Sequence, residues 1–267
     1  MEQLTALGTG YAIATNCYTT SFTVSDGNEH FMIDCGGGNG ILTQLDHAGI
    51  SLARIHHIFL SHCHTDHIMG AVWMLRMIGH GIEKGVYEDN LHIYCHKELA
   101  DGLLSMCQFM LPARMLSLFG TRILFHCLAD GMTFDILGRK TVFFDTHSKK
   151  TLQYGVKVTL KNDKTITYLG DEPYREECAV YAEEADYLMH EALCMEREEA
   201  KYHPHKIQHS TVKDAAECAE RLGAKNLVLF HTEDKNMALR KHAYTKEAEE
   251  YFRGNTYVPD DLDVIIL

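Results

Sequence analysis

Four side chains able to bind a metal, His62, His64, Asp66 and His67, fall close together in the segment IHHIFLSHCHTDHIMG at residues 55–70. The run before them, Ile55 to Leu60, is apolar at its end and predicts a buried strand, which Ser61 breaks. A strand that stops there delivers its next residues into a loop at a sheet edge, the usual place for a site in α/β folds. In extended backbone His62 and His64 point the same way, so two imidazoles reach one ion. Asp66 and His67, past the turn, face a neighbouring position more easily. The spacing therefore predicts two metals rather than one. A His-rich surface loop, or a helix cap with Asp66 near its start, is the plainer alternative. Three His and one Asp at this spacing directly after a strand weigh against it.

Four donors cannot hold two ions, and three more occupy like positions. His147 follows TVFFD, Asp171 follows ITYLG, and His231 follows NLVLF. Singly, such a His is a surface residue and such an Asp a turn residue. Their shared position directly after predicted strands places them at one sheet edge with the first cluster. Mixed His and Asp ligation with open positions suits catalytic zinc, with manganese or iron as alternatives.

The elements that must hold these residues are legible from periodicity. Strands are predicted over 4–10, 16–24 and 30–34, a β-meander that Cys35-Gly36-Gly37-Gly38 ends. Helical spacing follows over 39–48; after the metal strand come a Met-rich helix from about residue 69 to 78 and a short strand over 91–94. Helices over 97–110 and 113–119 are broken by Pro112. The second half repeats this style, with strands over 141–145, 152–160, 165–169 and 226–230 and helices over 176–184 and 211–222. Strands in both halves flanked by helices predict an α/β fold of two sheets packed face to face with helices outside. No linker or repeat interrupts the pattern, which predicts a single domain over residues 1–267.

Composition limits the function classes. Hydrophobic residues at 46%, charged residues at 23% and only 4 Pro give an ordinary globular balance with no disordered tail. The N-terminus lacks a basic segment followed by a long apolar run, and no stretch is apolar enough to span a bilayer, so neither a secretory signal nor a membrane-spanning helix is expected. The 9 cysteines form no CxxC pair and read as free thiols in a reducing cytoplasm. A net charge of −12 argues against a broad, non-specific nucleic-acid surface. Lys149, Lys150, Lys157, Lys161 and Lys164 crowd one segment with only Asp163 to offset them, and read as a solvated hairpin face.

The metal cluster resembles the HxHxDH signature of the metallo-β-lactamase superfamily, standing here as His62-Cys63-His64-Thr65-Asp66-His67. Other segments are similar to its ribonuclease Z-like branch: LGTG at 7–10 followed by Thr15-Asn16, FMIDCGGG at 31–38, His190-Glu191-Ala192 and His209-Ser210-Thr211. The resemblance implies a four-layer αβ/βα sandwich and two divalent ions. It implies His62, His64 and His147 on one ion, Asp66, His67 and His231 on the other, and Asp171 as the bridging carboxylate. Asp34 would accept a hydrogen bond from a ligand imidazole and fix its tautomer. A homodimer is implied as well. Two departures stand out. Only the 23 residues 148–170 separate His147 from Asp171, so the long basic arm of the tRNA-processing members is absent there. The last motif reads His231-Thr232-Glu233-Asp234, an expected acidic pair near the substrate mouth that suits a polyanion poorly.

Two divalent ions about 3.5–4 Å apart can share a water and lower its pKa from about 15.7 towards roughly 7. The expected activity is a phosphodiesterase acting on a small or single-stranded phosphodiester, such as a cyclic nucleotide or short oligonucleotide. The alternatives are a ribonuclease Z-like tRNA 3′-end endonuclease and a lactone or thioester hydrolase. A di-iron redox protein and a non-catalytic binding module fit less well, since His64 stands where oxygen-reducing relatives tend to have Glu and no donor is missing. Asp66 could orient or deprotonate the water. His209, held by Glu191, is the candidate proton donor to the leaving group, although Ser210 to Asp214 also reads as a helix start beside it. Cys63 reads as packing, His56, His57 and His126 as structural, His203 and His205 as loop surface, and Met69, Met74 and Met77 as core.

Overall fold

Short runs rich in β-branched and aromatic residues fold as strands throughout the chain. A computed structural model describes residues 1–267. In chain order the strands are β1 (Gln3–Gly8), β2 (Ser21–Ser25), β3 (His30–Ile33), β4 (Ile55–Phe59), β5 (Leu91–Cys95), β6 (Ile123–Cys127), β7 (Met132–Ile136), β8 (Arg139–Asp145), β9 (Tyr154–Thr159), β10 (Thr165–Tyr168), β11 (Tyr187–Glu191), β12 (Asn226–Phe230), β13 (Asn255–Tyr257) and β14 (Val264–Ile266). They form two seven-stranded mixed sheets, one in each of two compact units. The α/β class is as expected.

The first unit comprises Met1–Gly8, Tyr18–Leu128 and Asp261–Leu267. Its sheet runs β14-β1-β2-β3-β4-β5-β6, antiparallel from β14 to β3 and parallel from β3 to β6. Parallel neighbours need crossover connections, and the helices Gly40–His47, Thr65–Glu83 and Lys97–Met110 supply them. Their apolar faces bury Leu45, Met74, Leu75, Ile78, Leu99 and Leu103 with Met32, Ile58 and Ile93 of the sheet in one core. The helix Thr65–Glu83 starts four residues earlier than its apolar spacing predicts. Asp66 and His67 therefore sit in its first turn, where a carboxylate suits the helix dipole. The start of this helix lies on the Cys35–Gly36 backbone: Cys35 N–H donates to His67 O and Gly70 N–H to Gly36 O, each at 2.8 Å. Gly70 is required there, because a methyl at this position would collide with the Cys35 carbonyl.

The second unit comprises Thr9–Cys17 and Ala129–Asp260. Its sheet runs β13-β12-β11-β10-β9-β8-β7, parallel from β13 to β10 and antiparallel from β10 to β7. The helix Val212–Arg221 starts with a full capping box, Thr211 and Asp214 each accepting from the other's backbone. With the helix Met237–Ala248 it packs Ala215, Ala219, Tyr244 and Ala248 into a core with Leu188, Leu227 and Leu229. No helix of the chain is long and apolar enough to cross a membrane.

Candidate metal centre

In the first unit, β4 ends at Phe59 and the next residues leave the sheet as expected, with His64 as N-cap of the following helix. His62, Asp66 and His67 are buried, His64 half-buried. His62 Nε2 and His64 Nδ1 stand 2.9 Å apart, the His62 and His67 ring centroids are 4.2 Å apart, and His67 Nε2 lies 3.3 Å from Asp66 Oδ2. All four predicted donors of the loop thus gather at one place.

Asp34, fully buried, fixes them from behind. Its Oδ1 accepts from Ser61 N–H at 2.8 Å, and its Oδ2 accepts from Ser61 Oγ at 2.7 Å. His67 Nδ1 lies 2.8 Å from Asp34 Oδ2, and His62 Nδ1 lies 2.9 Å from Ser61 Oγ. A carboxylate only accepts, and the Ser61 proton is already given to Asp34. Both Nδ1 atoms therefore carry their proton, which leaves the Nε2 lone pairs of His62 and His67 for a cation. Ser61, which sequence reads only as a strand breaker, is the relay in this network.

In the second unit, Asp171 and His231 follow β10 and β12 and come together, with His231 Nε2 at 3.6 Å from Asp171 Oδ2 and both residues buried. Gln153 Nε2 donates to Asp171 Oδ1 at 2.5 Å. Nothing in the sequence around Gln153 signals that role. His147 does not join the pair. It is exposed, and its backbone N–H is held by Asp145 Oδ1 at 2.7 Å. Asp34, His147 and His231 all take left-handed backbone, with φ of 55°, 54° and 57°, as do six other non-glycine residues of the chain.

His209 and Glu191 are neighbours as expected. The His209 ring stacks on His231 with centroids 5.1 Å apart, and its Nδ1 lies 3.5 Å from Glu191 Oε2. The other Glu191 oxygen accepts from Ser210 N–H at 2.5 Å. Burial opposes charge on the His209 ring, but the Glu191 contact and the Asp171 charge outweigh it, so its pKa is raised above the ordinary value.

Two expectations are corrected, at Cys63 and at Met77, and the acidic pair is found buried. Glu233 and Asp234 are 3% and 1% exposed. Asp234 Oδ2 accepts from the N–H groups of Thr15 and Asn16, and Glu233 Oε2 accepts from Tyr202 Oη and Lys235 N–H, so both carboxylates are used to tie loops. Cys63 is exposed rather than packed, because the chain turns at the helix start instead of continuing in strand alternation. Met77 is 38% exposed, so the Met-rich helix keeps only Met74 fully in the core.

The chain is similar to the ribonuclease Z of Ignicoccus hospitalis, with 27% identity over 88% of each chain. Among solved structures it is similar to the metallo-β-lactamase fold protein YhfI from Bacillus subtilis, with TM-score 0.79, 19% identity and coverage of 99% of this chain and 98% of that one. It is likewise similar to the short form of human tRNase Z, with TM-score 0.76, 22% identity and coverage of 99% and 98%. Fold and donor set together define a metal-dependent hydrolase of the ribonuclease Z-like metallo-β-lactamase fold. Within that class the profile of the family described as Anti-Pycsar protein Apyc1 matches residues 2–248, and the chain belongs to that family.

Proposed function

We propose that the protein is a phosphodiesterase for a small or single-stranded phosphodiester, such as a cyclic nucleotide or short oligonucleotide. Its donors would hold two divalent ions, His62, His64 and His147 on one and Asp66, His67 and His231 on the other, with Asp171 bridging. The proposal includes zinc as the resident ion, a homodimer and a cytoplasmic location. The observation that carries it is the pair of imidazole nitrogens 2.9 Å apart, backed by Asp34 and Ser61, which hold His62 and His67 in metal-binding tautomers. Neutral imidazoles and carboxylates buried in this way fit a divalent ion of borderline softness.

Bound ions would acidify water and offset charge on the non-bridging oxygens of a phosphodiester. The chain's own residues do the rest. In this reading Gln153, which donates to Asp171, orients that carboxylate, Asp66 would orient the attacking water, and His209, beside Glu191, would protonate the leaving oxygen. Purified protein should carry about two equivalents of zinc, manganese or iron by elemental analysis and cleave bis-p-nitrophenyl phosphate. His64→Ala or Asp171→Ala should abolish that cleavage. Full activity in a metal-free sample would overturn the mechanism, and cleavage of a lactone panel without the diester would overturn the substrate class.

A second reading, tRNA 3′-end processing, is favoured by relatives named ribonuclease Z. Cleavage of precursor tRNA that weakens steeply with salt would place it first.

A further inference from the structure

We propose that Lys150 docks the phosphate oxygen of the substrate and, in doing so, leaves the His209 ring that it contacts in the free protein. The inference rests on the phosphodiesterase reading and sharpens its substrate class to anionic diesters over neutral esters and lactones.

Lys150 Nζ lies 3.2 Å from His209 Nε2. An ammonium only donates, so Nε2 is the acceptor and is covered. The other ring nitrogen, Nδ1, faces Glu191, and the ring rests on His231. The Lys150 side chain therefore occupies the one ring atom that could face a leaving oxygen. Its backbone is tied down at the same time. Glu172, 4% exposed and directly after Asp171, accepts from Ser148 Oγ at 2.6 Å, from Lys149 N–H at 3.1 Å and from Lys150 N–H at 3.3 Å. Ser148 Oγ in turn accepts from Lys150 and Thr151 N–H. The result is a flexible cation on a fixed base beside the proposed acid.

The expected lysine face divides accordingly. Lys157 is half-buried within β9, whereas Lys150 turns to His209. In a chain of net charge −12, an anionic substrate gains from a local cation at this point. A neutral imidazole is a weaker partner for an ammonium than a phosphate oxygen, whose hydrogen bond is charge-assisted. Exchange of one for the other is favourable, and it uncovers His209 Nε2, which must take up a proton from solvent before it can pass one to the leaving oxygen.

The test uses the metal-loaded full chain with Lys150→Met and Lys150→Arg, two exposed-site variants. KM for bis-p-nitrophenyl phosphate should rise about 10- to 100-fold in Lys150→Met, and the loss in kcat/KM should exceed that for p-nitrophenyl acetate at least about tenfold. Calorimetric titration with inorganic phosphate should show about tenfold weaker binding, and Lys150→Arg should recover most of both losses. Equal losses on the two esters, or phosphate affinity that is unchanged or absent in both proteins, would overturn the role of Lys150. If the unmodified protein cleaves no diester, the phosphodiesterase reading falls by itself, and the phosphate titration still decides whether Lys150 binds the anion.

Discussion

Asp34 is the residue on which the first unit's donors depend, since it fixes two imidazoles at once, one directly and one through Ser61. Asn at this position keeps the shape but turns one accepting oxygen into a donor, which conflicts with the Ser61 and His67 protons. Asp34→Asn should therefore weaken zinc binding about 10- to 100-fold, measured by chelator competition, with little change in secondary structure. An unaltered affinity would remove Asp34 from the account. His209→Ala bears on a different step. It should depress turnover of diesters with poor leaving groups more than of nitrophenyl diesters, which leave without a proton. Losses of equal size would dismiss His209 as the acid. The donor types at this scale were readable from sequence because metal-capable side chains directly after strands are few. Their partners were not. Gln153 is a common residue in a common place, and its contact with Asp171 arises from two segments 18 residues apart.

At the scale of elements, sequence reading succeeded where burial follows a period and failed where it does not. The helix Lys97–Met110 has the bounds that its apolar spacing predicts. The helix Met237–Ala248 went unseen because its buried positions are Arg240, Tyr244 and Ala248, and an arginine in the core hides the stripe. Arg240 is admissible there because it donates to Thr232 Oγ1, Pro259 O and Asp260 Oδ1. β7 is largely exposed at a sheet edge and has no alternation to detect. One element carries a pH response. Across β4, β5 and β6, His57 stacks on His92 and His92 on His126, and Tyr94 lies 3.0 Å from His57 Nδ1. Burial, then the neighbouring His92, His56 and His126, push the His57 pKa down to about 4. His92 and His126 are lowered as well, first by burial. A histidine in the unfolded chain titrates near about 6.5, so these rings favour the fold fully above that value. As pH falls from there towards about 4, the unfolded chain takes up protons that the folded sheet refuses, and stability drains away. For His57 alone the loss is on the order of 3 kcal/mol. Urea unfolding at pH 7 and pH 5 should show it, with a shallower dependence in His57→Gln; the same slope in both proteins would assign the acid sensitivity elsewhere.

For the whole molecule, the chain passes between its two units at residues 8–9, 17–18, 128–129 and 260–261. Neither unit is one continuous stretch, so we propose that they unfold together as one domain. Denaturant curves followed by circular dichroism and by Trp73 fluorescence should coincide in a single transition, and two separated midpoints would refute this. Such threading also raises the sequence separation of native contacts, a condition for slow folding. The pairing of β1 with β14, Gln3 opposite Ile266 and Thr5 opposite Val264, has a consequence for biosynthesis. A ribosome delivers β1 among the first residues and β14 among the last of this stretch. Until β14 emerges the nascent sheet ends at the six-residue β1, open to a neighbouring polysome product or to a chaperone; the three-residue β14 then takes over as a shorter margin.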